Sequence, residues 1–202
     1  EQWPFPIPIV KRAGHWLFDT TTGEEEILDR RIGRDELNAI QVCRAYVDAQ
    51  REYATAGDSG SGLHEYARKF VSSPGTHDGL YWPVAEGAPE SPIGPLVASA
   101  RAEGYGGRVD SRSVPYHGYY FRILERQGAA APGGAYDYLA DGHMIGGFAL
   151  VAFPATWGNT GMMTFVVNQD GIVHQKDLGR ETASIARAMT VYDPGPGWTP
   201  VK

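Results

Sequence analysis

The strongest periodicity in the chain lies between Asp35 and Ala56, where Ala39, Val42, Tyr46, Ala49, Tyr53 and Ala56 recur at steps of three and four. Ile40, Cys43 and Val47 form a second apolar row, and Gln41, Arg44, Asp48, Arg51 and Thr55 form the opposite polar row. The spacing predicts an amphipathic helix of about six turns, roughly 33 Å long. Two adjacent apolar rows make a sector wide enough to face a sheet, where a coiled-coil seam is narrower. This helix is expected to be the spine of the core.

Upstream, residues 3–10 alternate Pro with large apolar residues and read as an edge strand, with residues 15–18 as its hairpin partner. Thr22 and Glu25 have the spacing of a capping box and predict a short helix that stops at Gly33. After the long helix, residues 57–62 read as a flexible loop, 63–71 as a short helix, 76–95 as an aperiodic surface excursion and 96–103 as two helical turns. Beyond Pro115 the period changes to that of strands, over 116–124, 143–153, 162–168 and 172–176. Asn168-Gln169-Asp170-Gly171 is a tight hairpin turn, because Asp-Gly supplies the positive φ angles such a turn needs. Residues 181–189 close as a helix. Helices first and strands afterwards predict an α+β fold in which a long N-terminal amphipathic helix packs on an antiparallel β-meander. One domain is expected over 1–202: a hairpin and short helix (1–33), a helical half with long loops (34–114), the meander and closing helix (115–192), and a coil tail (193–202).

Composition narrows the function classes. With 202 residues, 42% hydrophobic and 21% charged, the chain has a globular composition and the length of one domain, which excludes a disordered or fibrous chain. A net charge of −6 lacks the positive field that holds a nucleic-acid backbone, and it sets an anionic membrane aside as well. No apolar run approaches the roughly 20 residues that span a bilayer, and Glu1-Gln2-Trp3-Pro4 does not open a signal peptide. The single cysteine, Cys43, excludes an internal disulfide and a Cys-based zinc site; inside the apolar sector it is expected to be inert. The 26 Gly and 14 Pro predict many turns between short elements.

Most motif-like stretches fail on chemistry. His64-Glu65-Tyr66-Ala67-Arg68 places Arg where a zinc helix needs its second His, and Gly57-Asp58-Ser59-Gly60-Ser61 follows a helix rather than the strand of a nucleophile elbow. No phosphate-binding or dinucleotide-binding glycine loop is present. On the strand 116–122 the period of two puts His117, Tyr119 and Phe121 on one face, with Tyr116, Tyr120 and Arg122 on the other. Tyr116, Tyr120 and Arg122 are candidate ligand-binding residues, an aromatic shelf with a cation. His117 and Tyr119, together with His143 and His174 on later strands, are candidate catalytic or metal-binding groups if the histidines converge. Asp58 and Glu65, with carbonyls of the 57–62 loop, are candidate calcium ligands; no other cofactor is expected. The lack of a complete catalytic motif favours a non-catalytic interaction or assembly module. The alternative is a small hydrolase or ligand-binding protein built on the strand from Tyr116 to Arg122.

The blocks Trp16-Leu-Phe-Asp19, Arg30-Arg-Ile-Gly-Arg-Asp-Glu-Leu37, the helix from Ile40 to Tyr53, Asp78-Gly-Leu-Tyr-Trp-Pro83, Tyr116-His-Gly-Tyr-Tyr-Phe-Arg122, Gly146-Gly-Phe-Ala-Leu-Val-Ala-Phe-Pro154 and Gln175-Lys-Asp-Leu-Gly179 closely resemble the bacterial family known as domain of unknown function 2950. The resemblance covers nearly the whole chain. Members of that family typically begin with an export signal and an extra N-terminal segment. It therefore implies a processed or trimmed form in the cell envelope, periplasmic or extracellular, with an envelope protein or a second copy as partner. A fainter similarity runs to type IV pilin-like and pseudopilin globular domains. It rests on the long helix followed in order by Gly118-Tyr-Tyr-Phe121, Ala152-Phe-Pro154, Thr160-Gly-Met-Met-Thr-Phe165 and Asp170-Gly-Ile172, and it implies a pilin-like core.

Overall fold

One uninterrupted helix dominates the first third of the chain. In the computed structural model, whose described residues are 4–57, 63–103 and 114–201, a β-hairpin of β1 (Ile9–Arg12) and β2 (His15–Phe18) leads into α1 (Thr20–Ala56, 37 residues). The separate short helix ending at Gly33 is thus corrected. Gly33 is internal to α1, and an interior glycine costs only about 1 kcal/mol relative to Ala, less than the packing on either side of it supplies. Nor is the Thr22/Glu25 box used. The helix starts after Asp19, whose carboxylate caps nothing and instead accepts from Arg12 at 2.9 Å. At the far end Gly57 takes the left-handed conformation (φ 67°) and its N–H bonds to the Tyr53 carbonyl, a regular helix stop.

The expected apolar rows face inward. Ala39, Ile40, Val42, Cys43, Tyr46, Val47, Ala49 and Tyr53 are all buried, whereas Ala56 is exposed. They pack on a five-stranded antiparallel sheet in the order β11 (Thr199–Pro200), β10 (His174–Asp177), β9 (Met163–Asn168), β8 (Ala149–Pro154), β3 (Tyr119–Leu124). All six residues of β8 are buried, as in a strand covered on both faces. α1 covers one side and α3 (Thr182–Ala188), entered through a 3-10 turn over 179–181, lies against β8 as well. Between α1 and β3 the described residues hold α2 (Gly94–Ala102) and the irregular stretch 63–93; between β3 and β8 come two tiny ladders, β4 (Arg126–Gln127) with β5 (Tyr136–Asp137) and β6 (Leu139–Ala140) with β7 (His143–Met144).

Four further expectations are corrected. Residues 63–71 form no helix. A helix would need their backbone groups for itself, but Ala67 gives its N–H to Gln50 Oε1 (2.8 Å) and its carbonyl to Gln50 Nε2 (2.7 Å), while Tyr66 N–H bonds to Met144 O. The strand expected over 143–153 is broken at Gly146-Gly147, where the backbone turns before β8. The strand expected from residue 116 starts only at Tyr119, because His117 (φ 44°) and Gly118 (φ 72°) are left-handed. Finally, the tail is not all coil: β11 pairs with β10, and Val201 N–H bonds to Val173 O. The hairpin at 168–171 is as expected, with Gly171 at φ 78° between β9 and β10.

Gln50 gives the clearest stability prediction. It is fully buried, and besides Ala67 it donates to the Tyr46 hydroxyl at 2.9 Å. Gln50→Leu leaves the N–H and C=O of Ala67 without partners in the interior, at roughly 1–3 kcal/mol each. Denaturant unfolding should lose about 3–5 kcal/mol. A loss below about 1 kcal/mol would mean that another group holds this segment.

Candidate functional site

The strand from Tyr116 to Arg122 is spoken for by the fold. Tyr119 is fully buried, its hydroxyl donates to Met163 O at 2.9 Å, and burial, helped by the nearby Glu36 and Asp35 carboxylates, pushes its ionisation well above the ordinary range. On the other face, Arg122 donates to the carbonyls of Ala186 (2.7 Å) and Met189 at the end of α3, and Tyr120 lies against Phe153 and under the Arg187 guanidinium. Tyr116 exchanges backbone hydrogen bonds with Tyr119 and sets its ring edge-on to that of His117.

Each histidine singled out in the sequence sits with its own partner. His117 Nε2 is 2.8 Å from Glu103 Oε2, His143 Nδ1 is 2.9 Å from Glu65 Oε2, and His174 Nδ1 is 3.3 Å from the Tyr192 hydroxyl. Among the described residues, no group of three or more His, Cys, Asp or Glu side chains is arranged to hold a metal. Asp58 lies outside the described residues, and Glu65 Oε2 stands 2.9 Å from His143 Nδ1. The Glu65–His143 pair joins two residues nominated for different chemistries; it ties β7 to the segment that Gln50 holds. Cys43 is fully buried, and burial pushes its thiol up to about 12, which keeps it unreactive.

A titratable cluster that the sequence reading missed lies beside His117. Asp35 belongs to the same helical row as Ala39, Val42 and Tyr46 and is buried with them. An acid inside an apolar row was the signal. Burial raises its carboxyl above the ordinary value for an aspartate, although Arg34, His117 and Arg31 all pull it down. Its neighbour Glu36 is used differently: Oε1 accepts the N–H groups of Met162 (2.8 Å) and Met163 (3.0 Å) where β9 begins. The backbone closes over Asp35 at Gly118, where an added Cβ would stand 3.1 Å from Oδ2 and 2.7 Å from Thr160 Cβ, so only glycine fits. His117, a non-glycine residue at φ 44°, carries strain of order 1 kcal/mol beside this carboxyl.

A second unassigned feature is the N-terminal arm. Ile7 packs on Gly23, Asp19 N–H bonds to Pro8 O, and Arg30 donates to Pro4 O, so residues 4–8 run along the first turns of α1. In the hairpin Ile9 is paired with Phe18 and Lys11 with Trp16, which places these four side chains on one face. Trp16 is 69% exposed, Ile9 58% and Phe18 55%, and Phe5, 69% exposed, sets its ring edge-on to Phe18. The Lys11 ammonium lies 5.8 Å from the centre of the Trp16 ring.

The sequence model of the family described as Protein of unknown function (DUF2950) matches residues 1–201. The chain belongs to this family. The long ordered blocks from Trp16 to Gly179 are therefore those of a DUF2950 protein. No curated protein matches the chain, and no solved structure does either. No helix among the described residues of this DUF2950 chain is long and apolar enough to cross a membrane.

The Asp35 carboxyl yields a pH prediction. Its native proton affinity is raised, so its contribution to stability is complete below the unfolded value near 3.8 and is lost as pH rises through the higher native value. Asp35→Asn removes that ionisation. The variant should melt above the wild type at pH 7, with the difference vanishing near pH 3. A lower melting temperature at pH 7 would show that Arg34 and His117 more than offset the burial.

Proposed function

We propose that this DUF2950 protein is a non-catalytic interaction or assembly module of the cell envelope, built on a pilin-like core, with the N-terminal arm as its contact element. The observation that carries the reading is where exposed apolar surface is concentrated. Seven of the fifteen exposed large apolar side chains among the described residues fall within residues 5–37, on the stretch before the hairpin, the hairpin itself and the first half of α1. Isolated exposed apolar residues need no explanation, but several on one face of a small element mark a contact surface. The pilin-like part of the reading rests on a long helix laid across an antiparallel meander, and the envelope location on the family resemblance.

The alternative, a hydrolase or ligand-binding protein on the strand from Tyr116 to Arg122, has less support. Tyr119 is in the core, and Tyr120 and Arg122 are engaged with α3. His117, His143 and His174 pair with groups in different parts of the chain, so a shared proton relay has no geometric basis in those pairings. Calcium bound by Asp58 and Glu65 would have to compete with His143 for the Glu65 carboxylate.

If the arm is displayed for contact, its rings contribute little to the fold. The double variant Trp16→Ser/Phe18→Ser should melt within about 2 °C of the wild type, since surface changes stay near ±0.5 kcal/mol. Phe148→Ser, at a fully buried ring, should cost about 3–5 kcal/mol. A drop in the double variant comparable to that of Phe148→Ser would assign the hairpin to the fold and end the contact reading.

A further inference from the structure

We infer that the face of the hairpin bearing Trp16, Phe18, Ile9 and Lys11 docks on an anionic lipid surface. This rests on the reading of the arm as a contact element and names its partner. The chain as a whole carries −6, but charge is unevenly placed: residues 4–18 hold Lys11 and Arg12 and no Asp or Glu. The helix beneath continues the pattern. At 100° per residue, Ile27, Arg30 and Arg34 fall within about 40° of Gly23, the position on which the arm rests, whereas Glu24, Glu25 and Asp29 fall 100° or more away. Two acids stand on the arm's side, and each is held in an ion pair: Asp19 with Arg12 at 2.9 Å and Glu26 with Arg30 at 2.7 Å. The arm therefore presents apolar rings beside Lys11, with Asp19 and Glu26 held in ion pairs and Glu24, Glu25 and Asp29 turned to other sides.

Size decides between partners. An aromatic side chain buries roughly 150–250 Å² in all. Four large side chains already partly covered thus offer about 500 Å², short of the roughly 800 Å² per partner of a stable protein interface. A second copy would also set the same cations face to face. A bilayer imposes neither limit: Trp and Phe seat at the headgroup level, and lysine and arginine extend along them to reach anionic headgroups. The Lys11–Trp16 contact already has this geometry, an ammonium held beside an exposed indole.

The test is co-sedimentation of the full chain with vesicles of equal parts phosphatidylglycerol and phosphatidylcholine, and of phosphatidylcholine alone, at low and at 0.5 M salt. The expected result is binding to the anionic vesicles at low salt, at least ten-fold weaker at 0.5 M salt and on neutral vesicles. Trp16→Ser/Phe18→Ser should abolish it, and Lys11→Gln should weaken it about five-fold. Failure of the wild type to sediment with anionic vesicles, or equal binding by the double variant, overturns the proposal. So does a wild-type dimer in sedimentation velocity that the double variant loses, which would make a second copy the occupant. An unchanged melting temperature in the double variant alongside such a failure leaves the contact reading standing with a different partner; a large fall removes both.

Discussion

The length of α1 relative to what it covers is the constraint on which the rest of this structure depends. Thirty-seven residues at 1.5 Å each make a rod of about 55 Å, whereas a six-residue strand such as β8 or β9 spans about 20 Å. The sheet can bury only part of such a helix. With the exception of Gly23, which lies under Ile7, the buried residues of α1 begin at Asp35 and end at Tyr53. The first half overhangs, and its stability must come from elsewhere. Residues 4–8 supply part of it by lying along Gly23 and Arg30, Glu26–Arg30 adds an i,i+4 pair, and Arg31 donates to the Asn159 carbonyl at 3.1 Å. The arm and the sheet thus pack mainly on different halves of α1, with Gly33 between them, and a two-stranded hairpin that would be marginal alone gains a support.

At the covered end, the difficulty is the large share of irregular backbone. Residues 63–93 and 125–146 bring buried N–H and C=O groups against the core without regular ladders long enough to pair them. Two buried glutamines answer this. Gln50 pairs with both groups of Ala67, as a neighbouring strand would, and Gln127 donates to the carbonyls of Pro132 and Gly134 while accepting from Tyr138. An amide side chain carries the same donor and acceptor as a peptide, so each glutamine replaces one rung of a missing ladder. Asp78 does the same for the 69–79 loop. Burial opposes its ionisation, but the ion pair with Lys69 and the bonds from Ser73 and Thr76 outweigh this and hold its carboxyl well below the usual range.

Which features could be read from the sequence follows from this division. The buried rows of α1, the hairpin at Asp170-Gly171 and the strands β3, β8 and β9 follow local period and turn chemistry, and all stood out in the sequence. What failed depended on partners distant in the chain. The segment 63–71 has helix-compatible composition but loses its backbone groups to Gln50 and Met144. Gly33 looks like a stop until the packing at each side of it is known. His117 alternates correctly as a strand residue, yet the turn that closes over Asp35 makes it left-handed. The exposure of Trp16 and Phe18 was equally hidden, since a two-stranded hairpin has the same alternation whether or not a third layer covers it.

The contrast between an acidic chain and a basic arm is itself a consequence of the long helix. Screening at physiological salt limits the reach of an exposed charge to about 8–10 Å. Residues 27 and 45 of α1 are roughly 27 Å apart along the axis, close to three such lengths. Acidic groups at the far end of the sheet, such as Glu125 and Asp137, therefore add little to the potential at Trp16, and net charge averages over parts that do not sense one another. What an approaching surface meets at the hairpin is set by Lys11, the Arg12–Asp19 pair and their immediate neighbours, with Glu24, Glu25 and Asp29 displaced around a cylinder about 10 Å across. An extended rigid element can in this way give one end of a protein an electrostatic character opposite to the whole, without changing the composition that its core requires.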